Sequence, residues 1–278
     1  MSIMSFTYYL SKFVRILRGR TRPYTCAVIL AAGSGTRMKS EDGTTKQMLL
    51  LCGEPVLVHS LRAFDTCKYI DEIVLVCKAD EIDIAKSLVK QYNIKKVTNI
   101  CAGGSERSDS AILGMACVPA KAEYVAFHDA ARCLILSSQI ADVVSAAYAF
   151  HASSAGCRVK DTVKRVNSKG FIIETPPREE LWSAQTPQVF SAPMYRYAAV
   201  KAKEDRIALT DDNMVMEHIG QRVKMIDTGY ENAKLTTKED LEYFEAVMER
   251  RKREKKKEDA SDKNKKKPSP NKKAKGQK

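Results

Sequence analysis

Residues 27–38 read AVILAAGSGTRM, an apolar run that passes directly into a turn of small residues and then into Arg37. Because glycine has no Cβ, Gly33 and Gly35 would let backbone N–H groups of this turn approach phosphate oxygens. The stretch lacks the Gly-Lys-Ser/Thr ending of a Walker A loop and the third glycine of the dinucleotide-binding fingerprint. It predicts a buried strand that ends in a loop, and the loop serves either anion binding or only a tight connection.

From residue 25 onward, apolar runs of strand length alternate with longer stretches whose apolar residues recur every three or four positions. This alternation is typical of βαβ units and predicts an α/β fold with a Rossmann-like, mostly parallel sheet flanked by helices. The predicted strands are 26–31, 73–77, 97–101, 124–128, 155–159 and 223–227. The predicted helices are 80–92, 105–117, 137–151 and 237–251.

One segment breaks the alternation. Two short β-type runs, 162–166 and 171–174, are joined by Asn167-Ser168-Lys169-Gly170, which predicts a β-hairpin that projects as an arm at about residues 160–178. The chain then divides into a basic N-terminal extension (1–24), one α/β domain (25–251) and a disordered basic tail of low complexity (252–278).

The formal net charge of +13 lies at the two ends of the chain. Residues 250–278 contain 15 Lys and Arg against 4 Asp and Glu, and residues 1–24 contain 5 Lys and Arg with no acid, which leaves −3 for residues 25–249. A cationic tail could attract polyanions without regard to their sequence. However, residues 250–278 contain no aromatic side chain that could stack on bases, which argues against nucleic acid as a partner.

The cysteines and the apolar runs bear on the compartment. The eight cysteines lie ten or more residues apart, without a C-x-x-C pair, and the chain shows neither a secretory leader nor an apolar run long enough for a membrane span. We therefore predict reduced thiols, a cytoplasmic location and no membrane partner. Because apolar residues of the first 17 positions fall roughly on one helical face, a transit peptide or a membrane-surface helix stays open as an alternative for residues 1–24.

Charged residues follow the ends of two predicted strands. Arg37 and Lys46 come after the small-residue turn, and fixed cations lower the barrier to phosphoryl or nucleotidyl transfer by facing the charge on the non-bridging oxygens. His128 and Asp129 come at the end of another strand, at the edge where open α/β sheets bind ligands. Asp129 could hold Mg²⁺ or a hydroxyl group of a ligand, or it could cap a helix.

Six motifs occur in order along the chain. They are residues 31–38 (AAGSGTRM) with Lys46-Gln47, Gly103-Gly104 with Arg107 and Ser110, His128-Asp-Ala-Ala-Arg132, Gln185-Thr-Pro-Gln188, Thr210-Asp-Asp212 and Asn232-Ala-Lys-Leu-Thr236. The first resembles the opening signature of sugar-phosphate nucleotidyltransferases. Together, over about residues 25–247, they resemble the 2-C-methyl-D-erythritol 4-phosphate cytidylyltransferase family. The resemblance implies transfer of CMP from CTP to 2-C-methyl-D-erythritol 4-phosphate with release of pyrophosphate, a step of isoprenoid precursor synthesis in the non-mevalonate pathway.

The resemblance also implies roles for the matching residues. The catalytic cations would be Arg37, Lys46 and Lys234. The CTP-binding residues would be Ala31, Ala32, Gly33, Gly35, Gly104, Ser110 and Asp129, of which Asp129 would also hold Mg²⁺. The residues that bind the sugar-alcohol phosphate would be Arg132, Thr162, Arg178, Thr186, Thr210 and Asp211. In that family the arm crosses to a partner subunit, so the resemblance implies a homodimer formed through the hairpin.

The sequence departs from the family pattern at Thr45, at Cys133 and at Asn213-Met214, and the loop between Arg37 and Lys46 is slightly long. Two alternatives accompany the main interpretation. Within the same class, the chain could be a ribitol 5-phosphate cytidylyltransferase. From another class, it could be a nucleic-acid-binding protein that acts through its basic tail.

Overall fold

The computed structural model describes residues 21–33, 45–237 and 239–265, with side chains as far as residue 258 in the last range. The strands of these residues are β1 (Thr25–Leu30), β2 (Leu50–Leu51), β3 (Glu54–Pro55), β4 (Glu72–Cys77), β5 (Val97–Ala102), β6 (Tyr124–Asp129), β7 (Ala152–Arg158), β8 (Arg165–Val166), β9 (Ile172–Glu174), β10 (Trp182–Ser191) and β11 (Lys224–Asp227). The helices are α1 (Val56–Thr66), α2 (Ile82–Gln91), α3 (Arg107–Ala116), α4 (Ser137–Phe150), α5 (Ala192–Glu204), α6 (Asp212–His218) and α7 (Glu239–Lys265). None of these helices combines the length and the apolar composition needed to span a membrane.

Seven strands form one sheet in the order β11-β7-β10-β6-β1-β4-β5. β1 lies parallel to β4 on one side and to β6 on the other, with Ala27 opposite both Ile73 and Ala126. β5 continues the parallel arrangement beyond β4, and β11 pairs in parallel with β7. Within this sheet β10 alone runs antiparallel to its neighbours, β6 and β7. The carboxyl ends of β1, β4, β5 and β6 therefore share one edge.

Both faces of the sheet are covered by helices. Along β1, Ala27 and Ile29 belong to the apolar cluster that includes α1, α2 and α4, whereas Val28 and Leu30 belong to the cluster that includes α3, α5 and α6. Successive side chains of a strand point to opposite faces, so a strand covered on both sides reads as a continuous apolar run. This explains why β1 is visible in the sequence and confirms the predicted fold class.

Helix α3 lies directly on the sheet because it carries a glycine at the contact. A Cβ on Gly114 would lie 2.5 Å from Val28 Cγ1 and 2.7 Å from Val76 Cγ2, so only hydrogen fits there. This close seating brings the first turn of α3, with Arg107, to the carboxyl edge of the parallel strands.

All six predicted strands lie in the seven-stranded sheet, and the four predicted helices correspond to α2, α3, α4 and α7. The seventh strand, β10, was not predicted as a strand. Its register against β7 shifts between Ala184 and Gln188, where the Thr186-Pro187 peptide bond is cis. A proline and a bulge interrupt the period of two that identifies a strand in a sequence. Helices α1, α5 and α6 were also not predicted.

The last helix extends beyond its predicted end. Its apolar side chains Leu241, Phe244 and Val247 pack in a third cluster with Leu235. The helix then continues to Lys265, so residues 252–265 are helical where we predicted a disordered tail. Residues 266–278 of that tail and residues 1–20 of the N-terminal extension lie outside the described residues.

The predicted hairpin is present. β8 and β9 form a separate antiparallel two-stranded sheet, with Val166 opposite Ile172, between the end of β7 and the start of β10. Every residue of both strands is exposed. The segment therefore projects from the domain as an arm.

Candidate active site

A polar cleft of about 440 Å³ opens at the carboxyl edge of the parallel strands. Four loops form it, and they follow β1, β5, β6 and β11. Its lining consists of Leu30, Ala32, Gly33, Lys46, Gln47, Gly104, Ser105, Glu106, Arg107, Ser110, Asp129, Ala131, Lys234 and Thr236. The structure thus brings together seven of the predicted site residues: Ala32, Gly33, Lys46, Gly104, Ser110, Asp129 and Lys234.

The loops after β1 and β5 meet because Gly103 has no side chain. A Cβ on Gly103 would lie 2.3 Å from Ala32 Cβ and 2.7 Å from Ser110 Oγ. The N–H of Gly104 donates to Ser110 Oγ (3.1 Å), and the Ser110 hydroxyl donates to the Glu106 carbonyl oxygen (3.1 Å). Ser110 therefore fixes the shape of this wall of the cleft through its own hydrogen bonds.

Asp129, the last residue of β6, lies between two cations. Its Oδ1 accepts from Arg107 Nε at 3.0 Å, and its Oδ2 accepts from Lys234 Nζ at 2.8 Å. Burial alone would raise the pKa of the Asp129 carboxyl, but Arg107 and Lys234 hold that pKa well below its usual range. Asp129 is therefore a permanent anion, with Lys234 beside it at the cleft wall.

Arg107 also contacts a second buried carboxylate, Asp212, behind the cleft lining. Its Nη1 lies 2.9 Å from Asp212 Oδ2, and the other oxygen of Asp212 accepts from the Tyr195 hydroxyl at 2.8 Å. The side chain of Asp212 is only 3% exposed, so Arg107 is its compensating charge. Arg107 and Asp212 belong to two of the six sequence motifs, but no role was predicted for either residue. Their only sequence signal was that position.

Thr186 and His128 support Asp129 from behind. The N–H of Asp129 donates to Thr186 Oγ1 (3.0 Å), and the same hydroxyl forms a hydrogen bond with His128 Nδ1 (3.0 Å). Thr186 is 3% exposed. The predicted contact between Thr186 and the substrate stays a prediction. In the structure, the hydrogen bonds of Thr186 hold the end of β6 in place.

His128 is neutral in this environment. Its ring packs against Phe64 at a centroid distance of 4.7 Å, and its Nε2 has no hydrogen-bond partner among the described residues. Burial lowers the pKa of His128 to about 3, from 6.5. The neutral ring is held by its hydrogen bond to the Thr186 hydroxyl at Nδ1.

The buried histidine predicts a pH-dependent stability. The unfolded chain takes up a proton at His128 near pH 6.5 and the folded protein does not, so the free energy of unfolding should fall as pH drops from about 6.5 towards 3, by up to about 1.4 kcal/mol per pH unit. His128→Asn keeps an acceptor for Thr186 but cannot titrate. Urea unfolding at pH 7 and pH 5 should show a smaller pH difference for this variant than for the wild type.

His218→Asn serves as the control for that experiment. His218 pairs with Asp205 at the surface, and its helix α6 packs on the face of the sheet opposite to Phe64. An equal pH difference in His128→Asn and in the wild type would contradict the assignment of the pH dependence to His128.

Five other predicted residues do not line the cleft. Arg132 is half-buried, and its Nη1 donates to the Asn232 carbonyl oxygen (2.9 Å). Thr210 and Asp211 border a second, much smaller cavity that shares Arg107 with the cleft. Thr162 and Arg178 belong to the exposed arm, where Arg178 Nη1 donates to the Lys160 carbonyl oxygen (3.0 Å).

The remaining three predicted residues are Ala31, Gly35 and Arg37. Ala31 is buried, its N–H donates to the Val76 carbonyl oxygen (2.7 Å), and it does not line the cleft, so its backbone N–H is not free for a nucleotide. Gly35 and Arg37 lie outside the described residues.

Two carboxylates of the cleft lining, Asp129 and Glu106, could hold a divalent cation. The described residues contain no group of three or more metal-ligating side chains. Mg²⁺ does not require one, because it is commonly held by one or two carboxylates together with substrate phosphates and water. Each oxygen of Asp129 accepts one hydrogen bond from a side chain and keeps a second acceptor position. Asp129 therefore fits a metal ion that a phosphate ligand shares.

Comparison with known proteins points in one direction. Residues 25–250 match the family described as IspD: 2-C-methyl-D-erythritol 4-phosphate cytidylyltransferase. A protein of that name from Clostridium botulinum (strain Loch Maree) is 40% identical over 223 residues, which are 80% of this chain and 96% of that protein. Another from Clostridium novyi (strain NT) is 41% identical over 225 residues, 81% of this chain and 96% of that protein.

The fold has solved relatives of the same description. The crystal structure of 4-diphosphocytidyl-2C-methyl-D-erythritol synthase from Anaerococcus prevotii superposes with a TM-score of 0.74 at 27% identity, covering 82% of this chain and 96% of that one.

Proposed function

Since the chain belongs to the 2-C-methyl-D-erythritol 4-phosphate cytidylyltransferase family, we propose that its cleft transfers CMP from CTP to 2-C-methyl-D-erythritol 4-phosphate and releases pyrophosphate. The observation that carries the assignment is the placement of Lys46, Lys234 and Asp129 around one polar cleft at the carboxyl edge of the sheet. The family match favours this enzyme over a nucleic-acid-binding protein that acts through its tail.

The reaction is an in-line displacement at phosphorus. A phosphate oxygen of the sugar-alcohol phosphate forms a bond to the α-phosphorus of CTP, the bond from that phosphorus to the bridging oxygen breaks, and pyrophosphate leaves with the electron pair. Negative charge develops on the oxygens of the α-phosphate and of the leaving group. Lys234 and Lys46 are positioned to face this charge, and fixed cations that need no reorganisation lower the barrier most effectively.

Two loops of small residues on the cleft wall suit the flat base of the nucleotide. The loops at Ala32–Gly33 and Gly103–Gly104 present backbone to the cleft without bulky side chains, which lets a flat ligand approach closely. Ser110 and Glu106 fix the second loop. We assign the cytosine ring to this wall and the triphosphate to the side of Lys46 and Lys234.

We also propose that Asp129 and the triphosphate hold Mg²⁺ jointly. Support comes from the permanent negative charge of Asp129 and from the remaining acceptor positions on its oxygens. A bound Mg²⁺ would neutralise phosphate charge. Asp129 would orient the metal, while Arg107 and Lys234 keep the carboxylate fixed.

The direct test is pyrophosphate release by the purified full-length protein with CTP and Mg²⁺. 2-C-methyl-D-erythritol 4-phosphate and ribitol 5-phosphate are offered in separate reactions. Turnover with the first and at least about a hundredfold lower kcat/KM with the second is expected. Preference for ribitol 5-phosphate would replace the substrate assignment, and no turnover with either would overturn the proposed function.

The arm is proposed as the contact between two copies of the chain. It exposes five apolar side chains on a short hairpin, with Phe171 68%, Ile172 62% and Ile173 56% exposed, besides Val163 and Val166. Contiguous exposed apolar residues of this kind mark association surfaces. We propose that a second copy of the chain covers these side chains in a homodimer.

We expect Phe171→Asp to dissociate the dimer, because burial of a charge against an apolar surface costs several kcal/mol. Sedimentation at micromolar concentration should show a dimer for the wild type and a monomer for the variant. Tyr197→Asp is the matched control, since Tyr197 is 59% exposed on α5, away from the arm, and should leave the dimer intact. A monomeric wild type would contradict the proposal.

We propose a cytoplasmic location on one observation. All eight cysteines are free, which is typical of a reducing compartment.

A further inference from the structure

One guanidinium joins two buried carboxylates from different parts of the fold. Arg107 Nε reaches Asp129 at the end of β6 (3.0 Å), and Arg107 Nη1 reaches Asp212 at the start of α6 (2.9 Å). The side chains of Asp129 and Asp212 are 12% and 3% exposed. Arg107 also lines both cavities, the cleft and the small cavity bordered by Thr210 and Asp211.

The chain of contacts runs across the whole site. From the Tyr195 hydroxyl it passes through Asp212, Arg107 and Asp129 to Lys234, with every link between 2.8 and 3.0 Å. Charges alternate in sign along it. A displacement of the Arg107 side chain would therefore move Asp129 and, through it, Lys234.

We propose that Arg107 is a positioning residue for the transfer reaction: it holds the Asp129 carboxylate in the orientation that Lys234 and the phosphates require, and it locks the segment 210–212 to the nucleotide cleft. This inference rests on the proposed function and assigns a role to a residue that the family resemblance left without one. Arg107 itself needs no contact with a reacting atom.

The two contacts of Arg107, a hydrogen bond to Asp129 and an ion pair with Asp212, require arginine rather than lysine. The guanidinium presents donors in a rigid planar fork, so Nε and Nη1 can serve two acceptors at once. A lysine ammonium at the end of a flexible stem is a single point charge. We therefore expect Arg107→Lys to keep much of the stability and to lose most of the activity.

A merely structural role is the competing explanation, and Asp212 separates the two. Arg107→Gln leaves Asp212 buried without a cation, which destabilises the fold. Adding Asp212→Asn removes that uncompensated charge, so the double variant should recover stability. Asp129 still lacks its arginine in the double variant. If Arg107 positions Asp129, activity should stay low although the fold has recovered.

Arg22 provides a matched control. It pairs with Asp71 through two hydrogen bonds, and the exposures of that pair (28% and 13%) almost equal those of Arg107 and Asp129 (29% and 12%). Asp71 accepts from the N–H of Thr25 at the amino-terminal end of β1, away from the cleft. Arg22→Gln thus measures the loss of an equivalent ion pair outside the site.

The experiment measures kcat, KM for CTP and the thermal midpoint of unfolding for the wild type and for Arg107→Gln, Arg107→Lys, Asp212→Asn, Arg107→Gln with Asp212→Asn, and Arg22→Gln. We expect kcat to fall about a hundredfold in both variants that contain Arg107→Gln, with KM for CTP changed less than about fivefold and the midpoint restored in the double variant. Arg22→Gln should keep kcat within about fivefold of the wild type, and Asp212→Asn should lose less kcat than either variant that contains Arg107→Gln.

Two results would overturn the inference alone: wild-type kcat in Arg107→Gln, or recovery of kcat together with stability in the double variant. Absence of turnover in the wild type would overturn the proposed function, and this inference with it.

Discussion

Replacement of Asp129 by Asn should lower kcat/KM for CTP by about a thousandfold or more and should also destabilise the fold. The amide can no longer balance Arg107 Nε and Lys234 Nζ, which lie 3.0 and 2.8 Å from the two carboxylate oxygens. Its NH₂ group would face one of these two donors, because an amide has one acceptor oxygen where the carboxylate has two. The proposed Mg²⁺ site would lose its anionic ligand at the same time.

Two measurements separate these effects. Steady-state kinetics at several Mg²⁺ concentrations should show that excess metal does not restore the variant, and urea unfolding should show a loss of about 3 kcal/mol for the broken ion network. Asp71→Asn is the control for stability, because Asp71 has nearly the same exposure and also faces an arginine, but lies away from the cleft. Nearly normal kcat/KM in Asp129→Asn would refute the role of this carboxylate.

Lys234→Met should lower kcat by about two to three orders of magnitude, while the fold is retained. Its ammonium lies at the cleft wall, 36% exposed, where a phosphate can reach it. A single fixed donor that faces developing charge is worth about 10²–10³ in kcat. Methionine keeps the length and the apolar stem of the side chain, so the loss can be assigned to the charge.

Kinetics of Lys234→Met, Asp129→Asn and the double variant distinguish two roles for the lysine. If Lys234 only orients Asp129, the double variant should be no worse than Asp129→Asn. If Lys234 also faces the phosphates, the double variant should be slower still. Lys121→Met is the control, because Lys121 pairs with Glu72 at the far end of the sheet and should leave kcat unchanged. Equal activity of Lys234→Met and the wild type would remove Lys234 from the mechanism.

The parallel half of the sheet could be predicted from the sequence because those strands are buried on both faces. β1 and β4 read as nearly unbroken apolar runs, and the predicted helix after β4 carries the chain back to the edge where the next parallel strand begins. From this pattern it follows that Gly104 and Asp129 meet at one edge, as they do.

β10 could not be predicted by the same reasoning. It runs antiparallel, carries Trp182 and Ser183 outside the core, and contains a proline within a bulge. Its polar residues Gln185, Thr186 and Gln188 are buried by partners that are distant in the chain, such as Asn232 and Asp211. Buried polar residues of this kind read as loop in a sequence.

The role of Arg107 was out of reach for a similar reason. Its partners Asp129 and Asp212 follow it by 22 residues and by a much longer stretch of chain, and only the folded sheet brings all three together. The resemblance supplied the cleft residues, whereas the network that joins them depends on the mutual placement of β6, α3 and α6. Contacts of that kind are the part of a site that a single sequence does not encode locally.

The arm leaves the sheet and returns to it at a closed neck. Trp182, the first residue of β10, stands opposite Arg158, the last residue of β7, and the Arg158 guanidinium lies 4.8 Å from the Trp182 ring centroid. The arm between these two residues therefore begins and ends at a fixed pair of neighbouring residues. Insertions or deletions in the arm that retain Thr162 and Arg178 can therefore change how copies assemble, while β7 and β10 keep their register.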